Sequence, residues 1–421
     1  MIFNSHFYGW KIVAICTVSM TLGYGVRHSF SVFYPHILEE FSESHGSTAL
    51  LLSIHLFVYG IVCPFIGTLT DHWKPKTTIT FGAIILGIST ASCSISTEIW
   101  HFYLIFGFFT PIGLACVGSP VVTPTIINWF KKSRGLAYGI AQMGGGLSFI
   151  FAIYAGLLIN LMEWRYAYIV LGLTIMILLI PLILVFFAGN PSEKNLKPYD
   201  YDKEILMTNN FSHEISSENW TLWEALRTHQ LWFMAISQTL FWGPGCYMIL
   251  ALQIKFAQEI GYDNLFAASI FGLFGVTMVL GQVSASISDL VGREWVLVIA
   301  CILCIASVFA LTNVNDTSKN WLLYVYALGF GYGTGLHAPT VLLGASDLFA
   351  GKHFGAITGM IIGFAGVAGS LGPWFGGFLY DKYGNYKIVF EYAILSFVFS
   401  AIFFILSAPR RKNIAKHFIK I

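Results

Sequence analysis

Arg27 is the residue in this chain best placed to do chemistry, because it lies deep inside a long apolar stretch. It stands seventeen residues past Trp10, roughly 25 Å along a helix, against a bilayer core about 30 Å thick. A guanidinium at that depth costs about 2.5–3.5 kcal/mol on insertion scales. It persists either because a function needs it or because its long side chain reaches the nearer interface. The neighbouring residues favour function. Tyr24, Arg27 and Ser31 recur at i, i+3 and i+7 and so share one helical face, and Gly23 and Gly25 leave room beside the charge. Such a group offers capture of an anion through charge-assisted, forked hydrogen bonds.

Other chemistries find little support. All seven cysteines fall in apolar runs and read as small packing residues; Cys301-x-x-Cys304 has no histidine near it to complete a metal site. The glycine-rich run Gly329-Phe-Gly-Tyr-Gly-Thr-Gly335 follows no strand and lies inside an apolar stretch, so it reads as close helix packing and not a phosphate loop. No nucleophile–base pair appears. The expectation is a protein that is not an enzyme and has no cofactor, no metal and no nucleic-acid partner.

The elements that must position Arg27 follow from composition. The chain is 56% hydrophobic and 10% charged, where a soluble domain carries about 25% charge. Its apolar residues form twelve runs of spanning length, at 11–38, 47–70, 77–97, 100–128, 135–160, 166–188, 229–256, 264–288, 295–313, 321–346, 354–379 and 386–408. No cleavable signal peptide precedes them. With the N-terminus inside, 17 of the 23 Lys and Arg fall on the cytoplasmic side and five outside, leaving Arg27 within the membrane. Both termini are therefore expected in the cytoplasm, with membrane lipid around an all-α bundle. No Asp or Glu lies securely at mid-depth, so Arg27 lacks an acidic partner and the substrate itself can be the counter-charge. Histidine is the residue that would suit any proton coupling.

The stretch 189–228 is the one long polar segment, and it divides the chain into six-helix bundles at 1–188 and 229–421. The two parts look alike at an offset of 220 residues. Gly23-Tyr-Gly25 returns as Gly243-Pro-Gly245, Gly113 as Gly333, Gly135 as Gly355, Gly139 as Gly359 and Gly146 as Gly366. A loop repeats as well, Gly67-x-x-x-Asp71 and Ala285-x-x-x-Asp289-x-x-Gly292-Arg293. Twelve helices in two parallel repeats form the architecture of carriers that rock about a site near the midplane.

At these residues the chain resembles the major facilitator superfamily. Within it, Trp129-Phe-Lys-Lys132-Ser-Arg134-Gly-Leu136-Ala137-Tyr-Gly139-Ile-Ala141-Gln-Met-Gly144, with Gly9-Trp10, is similar to the signature of the monocarboxylate and oxalate/formate transporter branch. The resemblance implies a secondary transporter of small organic anions, functional as a monomer. It also implies a central cavity that brings Arg27, Tyr24, His28, Gln142, Tyr247, Tyr332 and His337 together. For each of these alone, a hydrogen bond between helices is the alternative role. Asp71, Asp289, Gly292, Arg293 and Arg134 are implied to gate. Pro120, Pro124, Pro244 and Pro339 are expected to kink or open their helices. The chain departs from the branch in having no charge from Leu265 to Ser288 and no lysine in the eleventh run, which argues against a dicarboxylate held between two cations. Rival readings are import of a larger polycarboxylate such as a siderophore, or a transport-dead sensor. Compactness points to a bacterial inner membrane.

Overall fold

The structure, a computed structural model, describes residues 7–41, 45–131, 133–199, 220–262 and 264–408. Lys132, most of the linker and the basic tail from residue 409 therefore lie outside the described residues. Helices account for nearly everything else. The first six are α1 (Gly9–Phe41), α2 (His45–His72), α3 (Pro75–Ser92), α4 (Ile99–Trp129), α5 (Arg134–Leu161) and α6 (Trp164–Phe186). Next comes α7, in the segments His229–Leu240, Phe241–Tyr247 and Met248–Ile260, and α8 (Asn264–Ser284), which continues to Val291. α9 (Arg293–Thr312), α10 (Asn320–Phe349), α11 (Phe354–Tyr383) and α12 (Tyr386–Ser407) complete the chain.

Among the described residues, eleven helices are long and apolar enough to cross a membrane. The twelfth stretch, α10, has 30 residues and is mostly buried between its neighbours. Its glycines, tyrosines and His337 lower its mean hydropathy, so length and packing identify it where composition does not. Toward the outside the bundle presents bulky apolar side chains, among them Ile177 and Leu184 of α6, Ile302 and Phe309 of α9, and Leu395 of α12. In water that surface would be very unfavourable; in lipid it is ordinary. The protein is a multi-pass membrane protein.

The proline expectations divide. α4 breaks at Gly118, whose backbone is extended (φ −100°, ψ −159°) just before Ser119-Pro120. α7 widens to a π-helix over Phe241–Tyr247, around Pro244. Pro124 and Pro339 sit inside helices that stay unbroken around them, so neither opens its helix. Neighbouring helices can accommodate the lost N–H, so a proline need not open the helix.

The first and last six helices meet along two seams, α2 on α11 and α5 on α8. Backbones touch there because side chains are missing. A Cβ added to Gly139 would lie 2.5 Å from the carbonyl oxygen of Gln282, and one added to Gly363 2.6 Å from that of Gly60. The seams are tight only toward the end carrying Asp71 and Asp289. Farther along the same helices, Gly272 and Gly377 have no heavy atom within 4 Å of where a Cβ would stand. The bundle is pinched at the end that carries Asp71 and Asp289.

Candidate functional site

Between the two groups of helices lies a cavity of about 140 Å³, lined by α1, α2, α4 and α5 on one side and α7, α8, α10 and α11 on the other. Arg27 is its one lysine or arginine. The side chain is 6% exposed, and its Nε and Nη2 have no hydrogen-bond partner among the described residues. No carboxylate forms a salt bridge with it there. It hydrogen-bonds the Tyr247 side chain, and its guanidinium carbon sits 4.3 Å from the centre of the Tyr59 ring and 5.4 Å from that of Tyr24. Ring faces of this kind offset part of a buried cation's cost, about 0.5–2 kcal/mol each, and leave its donors free.

Around the cation the first six helices build a polar cluster. The Tyr24 hydroxyl lies 2.9 Å from that of Tyr59 and 3.2 Å from Ser119 Oγ. Gln142 donates from Nε2 to Ser119 Oγ at 3.4 Å and also to the Tyr138 hydroxyl. The break at Gly118 is what turns Ser119 toward the cavity, and the π-segment of α7 places Trp242 and Tyr247 on its opposite wall. Non-helical backbone at this depth is tolerated where it lines a cavity. His28 joins the lining, stacked on Phe149 at 4.4 Å with its Nδ1 2.7 Å from Ser148 Oγ.

Five of the seven residues proposed from sequence as binding residues thus line one cavity: Tyr24, Arg27, His28, Gln142 and Tyr247. Tyr332 and His337 do not. The rotation of α10 gives the cavity Ala338 and Leu342, one turn apart, and turns His337 away, since one residue is about 100° of helix. Tyr332 packs beside Ala285, Val296, Ala300 and Leu336. His337 is fully buried, stacked on Phe241 at 3.5 Å, and neither ring nitrogen has a partner among the described residues. Replacing it with an apolar residue should therefore cost nothing in binding. His337→Leu is expected to keep ligand affinity and to be neutral or stabilising, by up to about 1 kcal/mol in thermal melts; loss of binding would return His337 to the site. The lining also includes Tyr59, Ser119, Trp242, Gln238 and Gln282, none of them among the sequence-derived binding candidates.

At the pinched end, Asp71 reaches from α2 to the start of α11, accepting from the N–H groups of Gly355 (2.9 Å) and Ala356 (2.8 Å). Asp289 does the same from α8 to the start of α5, accepting from Gly135 N–H at 3.1 Å. Each carboxylate caps a helix N-terminus of the other group, where orphan donors and the helix dipole favour an anion. Gly135 and Gly355 leave the space: a Cβ on Gly355 would lie 2.5 Å from Asp71 Oδ1. The two captures differ in support. Arg293 binds Asp289 at 2.6 Å and Asp347 at 3.0 Å and donates to Ser288 Oγ, whereas Asp71 has two main-chain donors and, among the described residues, no arginine in a salt bridge with it. Gly292, at φ +109°, makes the turn that starts α9 and delivers Arg293. Arg134 donates from Nε to Phe130 O at 3.1 Å, bracing the turn before α5.

A lipid-facing bundle of this topology, pinched at one end over a cavity that holds a buried arginine, is the arrangement of a membrane carrier. The chain belongs to the Major Facilitator Superfamily, which it matches over residues 13–342 and, overlapping, 246–419. It is similar to human monocarboxylate transporter 12, 23% identical with 94% of this chain and 79% of the relative covered. It is also similar to human monocarboxylate transporter 11, at 24% with 96% and 83% covered, and to an MFS-type transporter 1 from Ophiocordyceps sp., at 24% with 90% and 81% covered.

Proposed function

We propose that this protein carries small organic anions, carboxylates in the first place, by alternating access, with Arg27 holding the anion. One observation carries the reading: a nearly buried guanidinium in a central cavity with no carboxylate partner among the described residues. An isolated buried cation is costly, and a bound carboxylate would offset that cost through charge-assisted hydrogen bonds. The relatives' names point to the same class of cargo. Two six-helix bundles, 1–188 and 229–421, would rock about the cavity as a monomer. The Asp71 and Asp289 captures would hold the cytoplasmic end shut while the cavity faces outward. A larger polycarboxylate would call for more cations than the single one that lines the cavity.

Uptake of labelled monocarboxylates into proteoliposomes, with and without a pH gradient, tests this. Accumulation that a neutral isostere cannot compete is expected; carriage of the neutral compound instead would overturn it. The orientation rests on the charge distribution and has its own test. Reporter fusions after Ala188 and after Ser407 should both read cytoplasmic, and an external reading at either would overturn the two-bundle arrangement.

A further inference from the structure

The cavity's lining is uneven in polarity, and this bears on what the cargo looks like beyond its charge. Most hydrogen-bonding groups near Arg27 come from the first six helices, Tyr24, Tyr59, Ser119 and Gln142, and Tyr247 of α7 hydrogen-bonds it from the facing wall. The last six helices contribute no charged side chain to the lining, and what they contribute is largely apolar, Trp242, Phe274, Met278, Leu342 and Ile362 foremost. Phe149 carries that wall across the seam between the groups, meeting Phe274 edge to face at 6.0 Å and 85°. Trp242 stands at the start of the π-segment, 5.7 Å from the Tyr247 ring.

We infer that the cargo is a monoanion with a sizeable apolar, preferably aromatic, body: its carboxylate lies on Arg27 and its body lies against Trp242, Phe274 and Phe149. The inference rests on the anion reading above and goes further than it. A formate- or acetate-sized acid would satisfy Arg27 but leave the wall unfilled, and each methylene placed on such a wall improves affinity about fourfold. An aromatic body adds edge-to-face contacts that suit these rings. A second carboxylate at the far end would be buried against neutral groups with no cation to meet it, which disfavours dianions. The cargo would thus touch both groups of helices at once, so an amphipathic anion is what would draw them together onto itself.

The test compares probes on purified protein by ligand-induced thermal stabilisation: acetate, phenylacetate, phenylenediacetate and the neutral benzyl alcohol, on wild type, Arg27→Gln and Trp242→Ala. Phenylacetate is expected to bind at least about tenfold more tightly than acetate or phenylenediacetate. Trp242→Ala is expected to shrink the preference for phenylacetate over acetate by about tenfold. Acetate or the dianion matching phenylacetate on wild type, with all of them lost in Arg27→Gln, would overturn this inference and leave the anion reading standing. Benzyl alcohol matching phenylacetate, or Arg27→Gln binding phenylacetate as wild type does, would overturn both. No stabilisation by phenylacetate at millimolar concentration would overturn the inference too.

Discussion

Replacing Arg27 with glutamine is expected to abolish anion binding and, at the same time, to raise the thermal stability of the empty protein. Both directions follow from the same geometry. The guanidinium is nearly buried, and two of its nitrogens have no hydrogen-bond partner among the described residues. The Tyr59 and Tyr24 rings offset only part of the cost. A neutral amide of similar reach removes that penalty, so the melting temperature should rise. With the anion bound, the balance reverses. Losing one partner of a desolvated charge pair costs roughly 2–5 kcal/mol, or about thirty-fold to several thousand-fold in affinity. Arg27→Lys keeps the charge but not the planar fork, and should fall between wild type and glutamine with some transport retained. The measurement is thermal stabilisation by the same anion across the three proteins. Equal stabilisation of wild type and Arg27→Gln would refute the role and leave the arginine as a side chain that merely reaches an interface.

Asp71→Asn should slow transport strongly while leaving ligand affinity nearly unchanged. The carboxylate is far along α2 from the cavity and accepts from the start of α11, so it can act on the pinched end and not on the cargo. Asparagine keeps the shape but loses the charge, and one of its two terminal atoms becomes a donor facing another donor. Removing a carboxylate from a helix N-terminus costs on the order of 1–2 kcal/mol, which is roughly five- to thirty-fold in the balance between pinched and open states. Asp289→Asn should have a smaller effect on that balance, because Asp289 holds one main-chain donor where Asp71 holds two. It also strips Arg293 of one of its two carboxylates, so a loss of folding stability should accompany it. Transport rate and dissociation constant measured together decide the matter. A collapse of affinity in Asp71→Asn would place the residue in binding and remove it from switching.

Arg27, Asp71 and Asp289 were legible in the sequence because charge is scarce in this chain. A charge inside an apolar run has few explanations, and an aspartate repeated at the same spacing after two helices has fewer. The glycines at an offset of 220 residues pointed to Gly135 and Gly355, each of which faces an aspartate of the other group of helices. What could not be read was rotation. One residue of α10 separates His337, which faces away, from Ala338, which lines the cavity. Boundaries uncertain by a few residues cannot resolve 100°. Ser119 was missed because only the backbone break at Gly118 turns a serine in α4 into a cavity group, and Tyr59 because nothing in the α2 run distinguishes its face. Gln238 and Gln282 lie deep in apolar runs, yet depth alone does not say which polar side chain faces a neighbour and which faces a ligand.

The donor side of each capture at the pinched end is main chain, so no side chain can be mutated to delete it. That makes the genetics of the contact one-sided. At positions 71 and 289 nearly any substitution removes the acceptor, whereas at Ala356 only proline, which lacks an N–H, removes a donor. A screen for carriers stuck open at this end should return many alleles from the two aspartates and almost none from their partners. Damage on the partner side would instead come through bulk at Gly135 and Gly355, where even one methyl group overlaps the carboxylate. Suppressors of those bulky alleles should re-aim the acidic side chain through changes beside it and not restore a lost hydrogen-bonding group, because none was lost.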